Sequence, residues 1–160
     1  MATPPDQEIA VHRSVSVPLP RERAFELFTT QMGAFWPAGH SIGSAPIADV
    51  LVEPRVGGRW YERGTECDWG RVAAWEPPAR VVLLWQIGVD WTMHPDFETD
   101  VEVQFTEDGP GRTCIDLTHR HLERYGDQAE AMRRIFDSPE GWAGILTRLS
   151  ELAIDASTRH

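Results

Sequence analysis

The chain contains no lysine and no asparagine, so all fifteen of its basic residues are arginine. That excludes a Schiff-base lysine, a phosphate-loop lysine and any N-glycosylation acceptor. Cysteine is scarce as well. Cys67 and Cys114 are too far apart for a C-x-x-C metal or redox motif, and both are expected to be free thiols in a reducing compartment. No apolar stretch approaches the ~18 residues that span a bilayer, and Met1 to Asp6 lacks the basic start and apolar run of a leader. The expected location is the cytoplasm. Positive charge is in deficit, with a formal net charge of -10. Such a balance disfavours phosphate backbones and anionic membranes, so neither nucleic acid nor membrane is expected as a partner.

What is present fits one globular domain. Hydrophobic residues make up 41% and charged residues 25% of 160 residues, which allows a real core and is far from the composition of a disordered chain. A tail over 1–8, a single domain over 9–155 and a short tail over 156–160 are expected. Residues 9–17 alternate at strand period through Val11, Arg13, Val15 and Val17. Pro20 suits a first helical turn, and Ala24, Leu27, Phe28 and Met32 recur at helical spacing up to Gly33. A short helical turn at Phe35-Trp36-Pro37 and a Gly, Ser and Pro loop over 39–48 come next. Six more strands are predicted over 47–53, 59–63, 68–75, 81–87, 99–106 and 112–121, seven with the first. Val56-Gly57-Gly58, Glu76-Pro77-Pro78-Ala79 and Glu107-Asp108-Gly109-Pro110-Gly111 are the turns between them. Residues 127–136 suggest a short helix with Met132, Ile135 and Phe136 facing inward. Ser138 as N-cap and Pro139 at the first position then open a long helix to about Ile154, with Trp142, Ile145, Leu146, Leu149 and Leu152 as its apolar stripe.

The runs G-G-R-W, D-W-G-R-V and W-E-P-P-A-R-V-V-L-L-W within residues 57–85 resemble the bacterial, AHSA1-like relatives of the C-terminal domain of the Hsp90 ATPase activator, in the Bet v 1/START-like (SRPBCC) superfamily. The resemblance runs from about Val11 to Leu152. It implies an α+β helix-grip fold, in which a curved antiparallel sheet wraps a long C-terminal helix and leaves a cavity between them. It implies an apolar or amphipathic small molecule as ligand, in a monomer or homodimer without cofactor. Two other activities follow from the same resemblance. One is polyketide cyclase or dehydratase chemistry. The other is Hsp90 co-chaperone activity, disfavoured here because the activator's separate N-terminal domain has no counterpart ahead of residue 9.

Strand alternation nominates the cavity residues. Trp60 should point inward with Glu62 on its face, where Glu62 either anchors a ligand with a raised pKa or pairs with an arginine such as Arg71. Thr113, Ile115, Leu117, His119 and His121 should share the inner face of the last strand. His119 or His121 could then act with Glu62 as an acid/base pair, or ligate a metal with Glu62, Glu66 or Asp68, although hydrogen-bonded strand-end histidines are the commoner case and no metal is expected. His12, His40, His94 and His160 show no ligand spacing. Trp60, Trp69, Trp85, Trp91, Phe105, Leu117, His119, Trp142 and Leu146 complete the expected wall beside Glu62. Trp75 and Trp142 suit core packing, and Trp91 to Asp96 is either a lid on the cavity mouth or a surface loop. Gly57-Gly58 precedes no helix and is a turn, not a phosphate cradle. Arg133-Arg134 is a solvated helix face.

Overall fold

The computed structural model describes residues 9–32, 49–63, 68–88, 94–138 and 141–157. Among them, seven strands form one antiparallel sheet: β1 (Val11–Val17), β2 (Asp49–Val52), β3 (Arg59–Arg63), β4 (Asp68–Glu76), β5 (Arg80–Trp85), β6 (Thr99–Glu107) and β7 (Thr113–Arg120). Their order is β1-β7-β6-β5-β4-β3-β2, so every neighbour from β2 to β7 is also a sequence neighbour and β1 closes the far edge on β7. Helix α1 (Arg21–Thr30) follows β1. A 3-10 segment (Leu122–Gln128), α2 (Ala129–Phe136) and α3 (Trp142–Ser157) follow β7. This is the α+β helix-grip arrangement, and each strand expected from alternation is present with small displacements at its ends. No helix among the described residues is long and apolar enough to cross a membrane.

Period-two patterning explains which face is buried. Thr113, Ile115, Leu117 and His119 on β7 are buried, as are Val101, Val103 and Phe105 on β6 and Val81, Leu83 and Trp85 on β5, while the residues between them are more exposed. The register aligns them in rows across the sheet, such as Leu83, Val101, His119 and Val11. α3 packs on β1 and α1, with Trp142, Ile145, Leu146, Leu149 and Ala153 in the core.

Two bulges in β4 alter what plain alternation gives. Trp60 pairs with Gly70 while Tyr61 pairs with Asp68, so Trp69 is an extra residue and joins Gly70 on the inner side. Val72 pairs with Leu83 while Ala74 pairs with Val82, so Ala73 is the second extra residue. That slip carries Trp75 opposite Val81 and onto Phe25, whose ring centroid lies 5.1 Å away. Trp75 and Trp142 pack with the core, as expected.

Several local expectations are corrected. Ser138 does not cap α3: its hydroxyl donates to Ile135 O at 2.7 Å, and α3 begins at Trp142 and ends at Ser157. Ile135 is 45% exposed and does not pack inward, since Met132 and Phe136 already occupy the buried stripe of α2. The helix expected over 127–136 is present as α2 from Ala129, and the kink at Gly126 (φ 64) lies ahead of it, within the 3-10 segment. The turn expected at 35–37 and the loop over 39–48 lie outside the described residues.

On the outer face Glu102 joins Arg80, at 2.6 Å from Nε, and Arg120, at 2.7 Å from its guanidinium, across three strands. Burial alone would raise the Glu102 carboxyl, but the Arg80 hydrogen bond and the Arg120 charge outweigh it and hold the carboxyl below its usual range. This contribution is therefore present above pH ~4.5 and is lost as the pH falls through the depressed value. Both arginines are about one-third exposed, so Glu102→Gln should cost only about 1–2 kcal/mol at pH 7, and the cost should shrink in acid. Urea titrations at two pH values check this.

Candidate ligand-binding site

Trp85 stands at the centre of an aromatic cluster on the inner face. Ring centroids of Phe136, Trp60, His119, Trp69 and Trp142 lie 5.5, 5.6, 5.7, 6.1 and 6.1 Å from it, mostly edge-on. The close approach of Trp60 and Trp85 from strands that are not neighbours has a specific cause. Gly70 lies between them in the register and has no side chain to keep the two indoles apart. The Trp60 Nε1 donates to Met32 Sδ at 3.2 Å, tying the chain just beyond α1 to the cluster.

His119 is fully buried and joined to two side chains. Trp142 Nε1 lies 3.0 Å from Nδ1 and Thr99 Oγ1 lies 2.7 Å from Nε2. An indole N–H is only a donor, so Nδ1 must be the acceptor and the ring proton must sit on Nε2, donated to Thr99. Thr99 Oγ1 is in turn 3.5 Å from Trp85 O. Burial holds the imidazole neutral, with a pKa lowered to about 3. His119 is consequently a structural link between β7, β6 and α3, and a poor general base.

His121 departs from expectation. β7 ends at Arg120, and His121 takes the left-handed conformation at φ 67, which turns its ring out of the inner row. There it meets Glu123 at 3.4 Å and Asp100 at 3.5 Å. In the sheet register Glu62 stands opposite Val50, while Arg71 stands opposite Arg59 and is exposed. Asp68 is engaged by Arg59, with Nε at 3.0 Å. The Glu62 side chain, Glu66 and Trp91 lie outside the described residues. Among the described residues no group of three or more His, Cys, Asp or Glu could hold a metal. Phe105, Leu117 and Leu146 are buried core residues.

Residues that alternation did not nominate complete the site. Tyr125 donates its hydroxyl to Ile87 O at 2.7 Å, and its ring lies 6.2 Å from Phe136 and 4.8 Å from Phe97. Burial pushes the Tyr125 hydroxyl up, and the nearby Trp85 indole pulls the other way. Yet Trp85 Nε1, although buried, has no hydrogen-bond acceptor in bonding geometry among the described residues. One cavity, of about 370 Å³, lies between α1 and the end of α3, lined by Leu19, Leu27 and Leu152 among others. Another, of about 520 Å³, lies outside Tyr125.

The family described as Activator of Hsp90 ATPase homolog 1-like protein matches residues 18–153. The chain belongs to this family. Among curated proteins none matches. Of solved structures, an anthrahydroquino-gamma-pyrone synthase, Txn09, is 36% identical over 89% of this chain and 96% of its own, with a TM-score of 0.64. CalC of Micromonospora echinospora, described as a self-sacrificing resistance protein, is 26% identical over 94% of this chain and 97% of its own, with a TM-score of 0.70. NE0264 of Nitrosomonas europaea, at 13% identity over 98% of this chain and 99% of its own and a TM-score of 0.65, shares the fold alone. The Activator of Hsp90 ATPase homolog 1-like fold thus carries a tryptophan-rich inner face in this member.

Proposed function

We propose that this protein binds a flat, largely apolar small molecule at the aromatic end of the grip, where Trp85 and its neighbours lie under the start of α3. One observation carries the reading. The buried Trp85 N–H has no acceptor among the described residues, which costs about 1–3 kcal/mol, and a carbonyl oxygen on an aromatic ligand would satisfy it while the ring stacks on the cluster. The likeness to a pyrone synthase supports a second reading, in which such a ligand is also converted. It lacks an acid/base pair among the described residues, because His119 is neutral and fully bonded and His121 lies at the surface.

Native mass spectrometry of freshly purified protein, then titration with a planar aromatic ketone followed by tryptophan emission, tests this. A 1:1 complex is expected. Trp85→Phe, which keeps an aromatic ring but removes the donor, should weaken binding at least about tenfold with the fold intact. Equal affinity in that variant would remove the indole as anchor. A mass change in the bound compound would move the reading from binding to catalysis, and stimulation of an Hsp90 ATPase by the purified protein would place co-chaperone action first.

A further inference from the structure

Trp60, Trp69, Trp85, His119, Phe136 and Trp142 are each at most 6% exposed, so a ligand reaches this cluster only after part of the chain moves. The 3-10 segment is built for such a motion. Leu122 at its start is fully buried and donates its amide to Ile9 O at 2.9 Å, and Ala129 beyond its end is buried as the first residue of α2. Between these two anchors Tyr125 is the only buried residue. One side chain therefore holds the stretch on the core, and segments with so few buried contacts open locally at low cost. Gly126 follows directly, at φ 64 and ψ -127, where glycine lacks the steric penalty of other residues and serves as a backbone hinge.

Tyr125 stands where the proposed ligand goes. Its hydroxyl donates to Ile87 O at 2.7 Å, and the Trp85 indole is near enough to the same hydroxyl to offset part of the upward push of burial. Its ring lies 6.2 Å from Phe136, which is itself 5.5 Å from Trp85. A phenol is a flat ring carrying an oxygen, so Tyr125 copies the chemistry of the ligand, with oxygen toward the indole and ring beside Phe136. The two exclude each other. On the far side of Tyr125 the cleft of about 520 Å³ offers the ring a place to go, and Phe97, 4.8 Å away on the cleft wall, gives it an aromatic face there. That move breaks the Ile87 bond and the Arg124 tether to Glu98 O at 2.8 Å.

We propose that Tyr125 is an internal placeholder, which fills the ligand position beside Trp85 in the closed protein and swings about Gly126 into the cleft when ligand enters. The proposal rests on the ligand-binding reading above and adds how that site is regulated. Only the open fraction binds, so the strength of the Tyr125 latch sets the apparent affinity.

The test is a titration of the full chain with 9-fluorenone, a planar aromatic ketone, followed by tryptophan emission. Tyr125→Phe keeps the ring and loses the bond to Ile87 O, so it should tighten apparent binding about two- to tenfold, where loss of a ligand contact would weaken it. Arg124→Ala removes the tether to Glu98 O from an exposed position and should tighten binding in the same direction. Thermal melts verify both folds; Tyr125→Phe decides if it is folded, and Arg124→Ala decides otherwise. In ligand-free protein the Arg124 amide, which donates to His121 O at 3.1 Å, should exchange with deuterium faster than the Val103 amide in the middle of the sheet, and Tyr125→Phe should accelerate the first alone. Unchanged or weaker binding in the deciding variant, or an Arg124 amide as slow as Val103, would overturn the placeholder. If Trp85→Phe still weakened binding, the ligand-binding reading would stand. No saturable binding to wild-type protein or to either variant would overturn both.

Discussion

Gly70→Ala is expected to abolish the native pairing of β4 with β5. A Cβ built at Gly70 falls 1.6 Å from Leu84 O and 2.8 Å from Leu84 C, and both are backbone atoms of the adjoining strand. A flexible side chain could swing away from such a clash, but a ladder carbonyl cannot move without separating the strands. The cost should exceed about 3 kcal/mol, a large part of a typical 5–15 kcal/mol stability, and should lower the melting temperature by about 10 °C or prevent accumulation of folded protein. Gly109→Ala is the control. Gly109 sits at φ 97 in the β6–β7 turn with nothing within 4 Å of the added Cβ, so only backbone strain of about 1–2 kcal/mol opposes it. Circular dichroism melts of the two variants should separate widely. If Gly70→Ala melts no lower than Gly109→Ala, the close approach of β4 and β5 is wrong.

The same glycine shows how far the sequence could be read. Alternation alone located all seven strands and put Trp60, Trp85, Leu117 and His119 on the inner face, because one buried and one solvated face impose period two whatever the tertiary detail. It could not see a bulge, since an extra residue in one strand leaves no mark until its partner strand is known. Trp69 and Trp75 reach the inner face only through the two bulges in β4, which sit where Gly70 and Ala73 leave little side chain to place. His121 failed for a related reason. The alternation was carried one residue too far, past Arg120 into a left-handed residue that no glycine announced.

The candidate site was less legible than the fold. Its walls are large apolar side chains and follow from pattern, whereas its polar logic depends on which strands become neighbours. Thr99 matters because β6 places it across from Trp85 and within 2.7 Å of His119, a relation that joins residues far apart in sequence. Arg71 was named as a partner for Glu62 before the β3–β4 register was known. Once Trp60 pairs with Gly70, Arg71 falls beside Arg59. Tyr125 carried no signal at all, since a lone tyrosine outside a strand looks like any surface residue.

His119→Leu should destabilise the protein by about 2–5 kcal/mol at neutral pH, because leucine fills most of the space but removes the acceptor of the Trp142 N–H and the donor to the Thr99 oxygen, at about 1–3 kcal/mol each. The pH dependence identifies the cause. The imidazole is free to take a proton near 6.5 in the unfolded chain but only near about 3 when folded, so between those values the unfolded state binds more protons. Its contribution is therefore complete above pH 6.5 and declines by about 1.4 kcal/mol for each unit below it. At pH 4.5 wild-type protein should have lost roughly 2–3 kcal/mol through this group alone, a loss the leucine variant cannot suffer. The stability gap between the two proteins should thus narrow by that amount between pH 7.5 and pH 4.5, with the carboxylates cancelling because both proteins share them. Urea denaturation followed by tryptophan emission measures the gap at each pH. A gap that stays constant would mean that His119 takes up its proton equally in both states, and the neutral ring with its proton on Nε2 could not be the one that joins Trp142 to Thr99.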